Sequence, residues 1–109
     1  MQIIVSGQHM PMPMPEPVQK YVKNKTQDVL TKYFANVIDA HVHFSKQGND
    51  IACDIIAHDG TGKHRSVIKS SGIAHEMCNA FDKSLDKLEH QIQKLKSKMN
   101  DYHKSRASD

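Results

Sequence analysis

The sequence predicts an α+β fold of order β-α-β-β-β-α, a two-layer sandwich in which two helices pack on one face of a four-stranded sheet. Three observations predict it. Apolar and polar residues alternate from residue 38 to residue 45, a second run over 51–58 keeps apolar residues at every other position, apolar residues recur at helical spacing in two other segments, and turn chemistry separates the strand-like runs. A chain of 109 residues has enough surface to bury for one hydrophobic core, so residues 1–104 are expected to form a single domain, with 105–109 a short C-terminal stub.

The first strand is expected over Gln2 to Ser6, where Ile3, Ile4 and Val5 favour extended backbone and Gly7 closes the run. Prolines at 11, 13, 15 and 17 follow, and their missing N–H donors exclude both a helix interior and a central strand. This stretch is a stiff connector, and one or more of Met10, Met12 and Met14 is expected to fill a gap at the edge of the core. Pro17 suits the first helical position, and Val18, Tyr21, Val22, Val29 and Tyr33 carry helical spacing through about Phe34. Thr26 interrupts that apolar stripe, and Asn36 and Val37 begin a turn.

Ile38, Ala40, Val42 and Phe44 then alternate with Asp39, His41, His43 and Ser45, the pattern of a strand with one buried face. SKQGND reads as a turn, and Ile51, Cys53, Ile55 and Ala57 mark the core face of a third strand. HDGTG supplies a further turn before a fourth strand at about Lys63 to Ser70. Connections this short imply an antiparallel meander. From about His75 to about Lys104 the period is again that of a helix.

That last helix carries two patterns out of phase. With Phe81 at zero and about 100° per residue, Leu85, Leu88, Ile92, Leu95, Met99 and Tyr102 fall within about 60° of it. Lys83, Lys87, His90, Lys94 and Lys98 occupy an arc of about 80° on the opposite side, bordered by Asp82, Asp86 and Glu89. A charged outer face can serve solubility alone. Here the acids flank the basic arc, and successive cations one turn apart match the spacing of phosphates along a nucleic acid backbone. Lysine favours point-charge contact with phosphate over bidentate reading of bases. Lys20 and Lys23 project from the first helix, and Lys25 flanks its buried strip.

The net charge of +3 permits a polyanionic partner without requiring one. Neither a signal peptide nor a long apolar run is present, and Cys53 and Cys78 lack CxxC spacing, so a reduced, cytoplasmic, non-membrane protein is expected, with a disulfide between the two cysteines left open. Of eight histidines, only His41, His43, His58 and His64 form a constellation worth testing for metal, and their spacing is not of zinc-finger type. With no P-loop, nucleophile elbow or GxGxxG, no enzyme activity, cofactor or metal is expected.

VIDAHVHFSK (37–46) and EMCNAFDKSLDKLEHQI (76–92) resemble the second-strand segment and the helical signature of the short ribosome hibernation-promoting factors and the related ribosome-associated inhibitor, the sigma-54 modulation or light-repressed protein family. The resemblance implies a non-enzymatic ribosome-binding domain, monomeric when free, that occupies the mRNA and tRNA channel of the small ribosomal subunit. It implies suppressed translation under stress and in stationary phase. It also implies contact with the rRNA backbone through Lys83, Lys87 and Lys94, with Lys25 added; the helical wheel extends the candidate set to His90, Lys98, Lys20 and Lys23. The chain departs from the family pattern in its proline-rich connector, Thr26, Asp28, Cys78 and His90. Histidine in place of arginine predicts a contact at position 90 that strengthens below about pH 6.5. The short stub favours the hibernation factor that supports ribosome pairing over the inhibitor that opposes it. The alternatives are a double-stranded or structured RNA-binding module acting outside the ribosome, and an interaction domain whose last helix packs on a protein partner; lysines on the outward arc disfavour the latter.

Overall fold

The computed structural model describes residues 2–9, 14–34, 37–59 and 66–107, with the side chains of 37–38, 59, 66 and 96–107 left out of the description. The order is β1 (Gln2–Gln8), α1 (Glu16–Tyr33), β2 (Val37–Gln47), β3 (Asp50–Asp59), β4 (Ser66–Ala74) and α2 (Met77–Ala107), the α+β arrangement expected. The four strands lie in one sheet in the order β1-β2-β3-β4. The meander holds for β2 to β4, which pair antiparallel, whereas β1 joins β2 in parallel with Ser6 opposite His43. Parallel neighbours need a crossover, and α1 supplies it.

Alternation along β2 and β3 is largely as read, although Ile51 is half-buried, Ala52, read on the opposite face, is buried, and the side chain of Ile38 lies outside the description. Ala40, Val42 and Phe44 are buried, as are Cys53, Ile55 and Ala57. They meet Val22 and Leu30 of α1 and Ala80, Phe81, Leu85, Leu88 and Ile92 of α2 in one core. Met14 seals an edge of it at 3% exposure, as one of the three methionines was expected to; Met10 and Met12 lie outside the described residues. The Gln19 side-chain amide donates to the Met14 carbonyl at 2.7 Å and ties the connector to α1. At the far end, Phe34 leaves helical geometry and turns its ring into the core, its N–H donating to Leu30 O at 2.8 Å.

Several boundaries differ from the sequence reading. Gly7 does not end β1, which continues to Gln8, and α1 begins at Glu16, one residue before Pro17. Val37 belongs to β2, and the SKQGND turn contracts to Gly48 and Asn49, with φ of 63° at Gly48 supplying the tight reversal. As described, β4 runs from Ser66 to Ala74 rather than from Lys63 to Ser70; residues 63–65 lie outside the described residues. The strand therefore passes through Gly72, which is a point of close approach where the backbone of α2 crosses β4. The last helix continues past Lys104 to Ala107. Leu95 is 36% exposed rather than core, because it reaches the end of β4 beside Val67, where the apolar surface of the sheet runs out. Met99 and Tyr102 have no described side chains.

Thr26 is fully buried and its hydroxyl has no hydrogen-bond partner among the described residues. An unpaired buried hydroxyl carries its desolvation cost uncompensated, so Thr26→Val, close in shape and without the hydroxyl, is expected to raise stability by about 1 kcal/mol. A higher midpoint of urea unfolding at unchanged slope would show it.

Candidate nucleic-acid interface

The basic arc of α2 depends on the burial of its other side. Phe81, Leu85, Leu88 and Ile92 face the sheet, and helical geometry then turns Lys83, Lys87, His90 and Lys94 outward, where all four are exposed. Lys98 lies outside the described side chains. Lys83 and Lys87 are separated by about 6 Å of axial rise and Lys87 and Lys94 by about 10 Å.

The bordering acids are engaged mainly with α1 rather than with this row. Tyr21 donates its hydroxyl proton to Asp82 at 2.6 Å, and Tyr33 donates to Glu89 at 3.0 Å while accepting from the Gln93 amide at 2.8 Å. Lys32 approaches Glu89 at 3.6 Å, and the Tyr21 ring meets Phe81 edge to face at 5.9 Å. The α1–α2 seam therefore absorbs Asp82 and Glu89, and the third acid, Asp86, lies 3.9 Å from His90. Among the described residues no carboxylate lies within 4.0 Å of the Lys83, Lys87 or Lys94 ammonium. Lys83 donates to the Ile73 carbonyl at 3.2 Å, a contact in an exposed setting.

The Asp82 contact leaves a signature in alkali. Acceptance of its proton by the carboxylate, then burial, then the nearby negative charge push the Tyr21 phenol from 10.0 up to about 12. The folded chain thus holds this proton more tightly than the unfolded one. Its contribution to stability is complete below pH 10 and is lost as pH rises through about 12. Tyr21→Phe is expected to flatten the decline in stability over that interval, measured by urea unfolding at a series of alkaline pH values.

On α1, the wheel separates the predicted lysines. With Val22 at zero, Lys20 and Lys23 fall at about 160° and 100°, and Lys25 at about 300° with Lys32 beside it at about 280°. Lys25 sits 5.9 Å from the centre of the Tyr21 ring, next to the seam. Lys20 faces Glu16 at 3.9 Å in a highly exposed pair, which counts for little in water. Eight candidates therefore do not form one patch: the α2 row is one group, Lys25 borders the seam, and Lys20 and Lys23 lie on the far flank of α1.

Two cations were not singled out from the sequence. Lys32 ends α1 at the seam, its ammonium 5.3 Å from the Tyr33 ring centre. Lys69, in the middle of β4, shares a cleft with Lys87. Its signal was the alternation Val67, Lys69, Ser71, which puts it on the face of the sheet away from the helices.

Cys53 is buried and its thiol is pushed up to about 12, chiefly by burial and then by Asp54, so it behaves as a small core residue; Cys53 and Cys78 are both free thiols. Among the described residues no group of three His, Cys, Asp or Glu is placed to hold a metal ion. His58 pairs with Asp39, and His64 lies outside the described residues. No described helix is long and apolar enough to cross a membrane.

A helix pair laid on one face of a four-stranded sheet, with exposed lysines that have no carboxylate partner among the described residues on its outer surface, defines the class as a small α+β protein with a cationic helix face. A family model for the sigma 54 modulation protein / S30EA ribosomal protein family matches residues 3–100, so the chain belongs to that ribosome-associated family. Among solved structures, the fold is similar to the N-terminal domain of Thermus thermophilus Protein Y, with a TM-score of 0.71 at 20% identity over 87% of this chain and 99% of that one. It is equally similar to a ribosomal subunit interface protein from Coxiella burnetii, with a TM-score of 0.71 at 19% identity over 89% and 99% of the respective chains. No curated protein sequence matches the chain significantly.

Proposed function

We propose that the chain is a non-enzymatic ribosome hibernation factor that binds the small ribosomal subunit in its mRNA and tRNA channel and holds translation off during stress or stationary phase. Membership of the family supports association with the ribosome. The observation that carries the contact is the α2 row: Lys83, Lys87 and Lys94 stand exposed without carboxylate partners among the described residues, because Asp82 and Glu89 are engaged by Tyr21 and Tyr33 of α1. Ammonium groups so placed can each meet a phosphate of rRNA, a contact that positions without reading sequence.

His90 and Lys98 extend the proposed row. Lys25 adds a cation at the seam, while Lys20 and Lys23 would meet another wall of an enclosing channel. The free protein is proposed to be a cytoplasmic monomer, with no cofactor and no membrane partner, and resemblance to the short hibernation factors extends the proposal to support of ribosome pairing.

Cosedimentation with purified small subunits over a salt series, with free duplex RNA as competitor, tests the reading. Binding that weakens steeply with salt and resists duplex competitor supports it. Equal affinity for free duplex would instead favour a structured-RNA module acting outside the ribosome.

A further inference from the structure

The helices cover one face of the sheet, and the other carries a cleft of which the channel reading uses Lys87 alone. A space of about 620 Å3 opens over the uncovered face at the β4 edge, lined by His41, His43, Asp54, Ile56, Lys69 and Lys87 among others. Its size falls in the range of small-ligand sites, about 300 to 1,000 Å3.

The two imidazoles are pinned. Ser6 Oγ lies 2.7 Å from His41 Nε2 and 2.8 Å from His43 Nδ1, and both rings are half-buried and nearly perpendicular, 6.1 Å apart at their centres. One hydroxyl proton serves one ring, and the other ring donates its own N–H back to the serine. Ile56, half-buried and directly opposite His41 in the β2–β3 register, continues this surface with an apolar side chain. With the rings perpendicular, one imidazole can offer its face for a nucleobase to stack on, as single-stranded RNA does on other sheets, while the other meets the base edge-on and Ile56 adds an aliphatic contact.

The rim supplies charge from two elements. Lys69 of β4 and Lys87 of α2 line the same cleft, and neither is in an ion pair among the described residues, so a phosphate can be held between them. Asp54 is the one carboxylate among the described lining residues. It opposes a bare anion, yet it offers two acceptor oxygens to a base that presents adjacent donors. Guanine presents N1–H beside an amino group, whereas uracil presents one N–H between two carbonyls.

We infer that this cleft receives a single unstacked nucleotide of an RNA strand, guanine in preference to uracil, with its phosphate between Lys69 and Lys87, its base against His41, His43 and Ile56, and its Watson–Crick edge on Asp54. The inference rests on RNA being the partner, as proposed above, and names the part of that partner this surface takes.

Amide NMR spectra of the full chain, titrated separately with GMP, UMP and inorganic phosphate, test it. The expected result is saturable shifts at β2, β3 and β4 residues around His41, Asp54 and Lys69, with GMP at least about fivefold tighter than UMP and phosphate weakest. Asp54→Asn should abolish the difference between GMP and UMP, and Lys69→Gln should weaken both, with dispersed spectra showing that each variant folds. Phosphate binding as tightly as GMP, shifts confined to the outer arc of α2, or no saturable shift would each overturn the inference. The titration uses no ribosome: its failure leaves cosedimentation with small subunits standing, and failure of cosedimentation leaves the titration standing.

Discussion

Replacing Lys83, Lys87 and Lys94 together with alanine is expected to weaken binding to the small subunit roughly a hundredfold, since each exposed ammonium held against a phosphate contributes about 1 kcal/mol. The row is exposed and lacks carboxylate neighbours within 4.0 Å among the described residues, so the substitutions remove long-range attraction without stranding a buried partner charge. Stability should change little. The salt dependence separates this from a packing defect: the slope of log affinity against log salt should fall by about 2 to 3 for the triple variant. Lys83 should contribute least of the three if its hydrogen bond to the Ile73 carbonyl persists in the complex.

Gly72→Ala should have the largest effect on stability. A Cβ built at residue 72 would lie 2.8 Å from the Ala80 carbonyl oxygen, 2.8 Å from the Ser84 amide nitrogen and 2.9 Å from Lys83 Cβ. Two of these three atoms are helix backbone and cannot rotate away, so α2 must lift from β4. The neighbouring seam is specific: Ser70 donates to the Ser84 carbonyl at 2.8 Å, with the two hydroxyl oxygens 3.0 Å apart, and lifting the helix stretches both contacts. Overpacking of this kind costs about 2 to 3 kcal/mol, which for a domain of this size lowers the thermal midpoint by roughly 10 to 20 °C. Differential scanning calorimetry checks it, and a midpoint within about 3 °C of wild type would mean that the close approach is absent in solution.

Gly72 also shows where sequence reading stops. Period-two alternation was legible over β2 and β3 because one face packs against the helices and the other is mostly open, and Ala40, Val42, Phe44, Cys53, Ile55 and Ala57 are buried as the pattern marked, with Ala52 the buried residue it put on the other face. The stripe from Phe81 to Ile92 was legible for the same reason at the helical period. A glycine after a strand-like run, however, reads as a stop whether it closes a strand, as expected at Gly7, or admits a helix backbone, as at Gly72. Only the packed helix distinguishes them. Parallel pairing of β1 with β2 was equally hidden, because it is set by the path of α1 and not by any residue in either strand.

The site was legible as charge and less so as geometry. The α2 lysines could be placed on one arc from spacing alone, but the destination of the bordering acids could not, since Asp82 and Glu89 find their partners 61 and 56 residues away in α1. On a wheel they look like candidates to neutralise the lysines; in the fold they join the two helices. Lys69 was overlooked because the alternation Val67, Lys69, Ser71 says only that it faces away from the helices, and only the approach of α2 to the β4 edge sets it in one cleft with Lys87.

Mass-spectrometric mapping of lysine acetylation on the chain, free and bound to small ribosomal subunits, most directly tests whether the α2 row is the face that meets rRNA. Strong protection of Lys83, Lys87 and Lys94 in the bound state is the predicted result. Undiminished reactivity at these three positions, with protection appearing elsewhere on the chain, would contradict it.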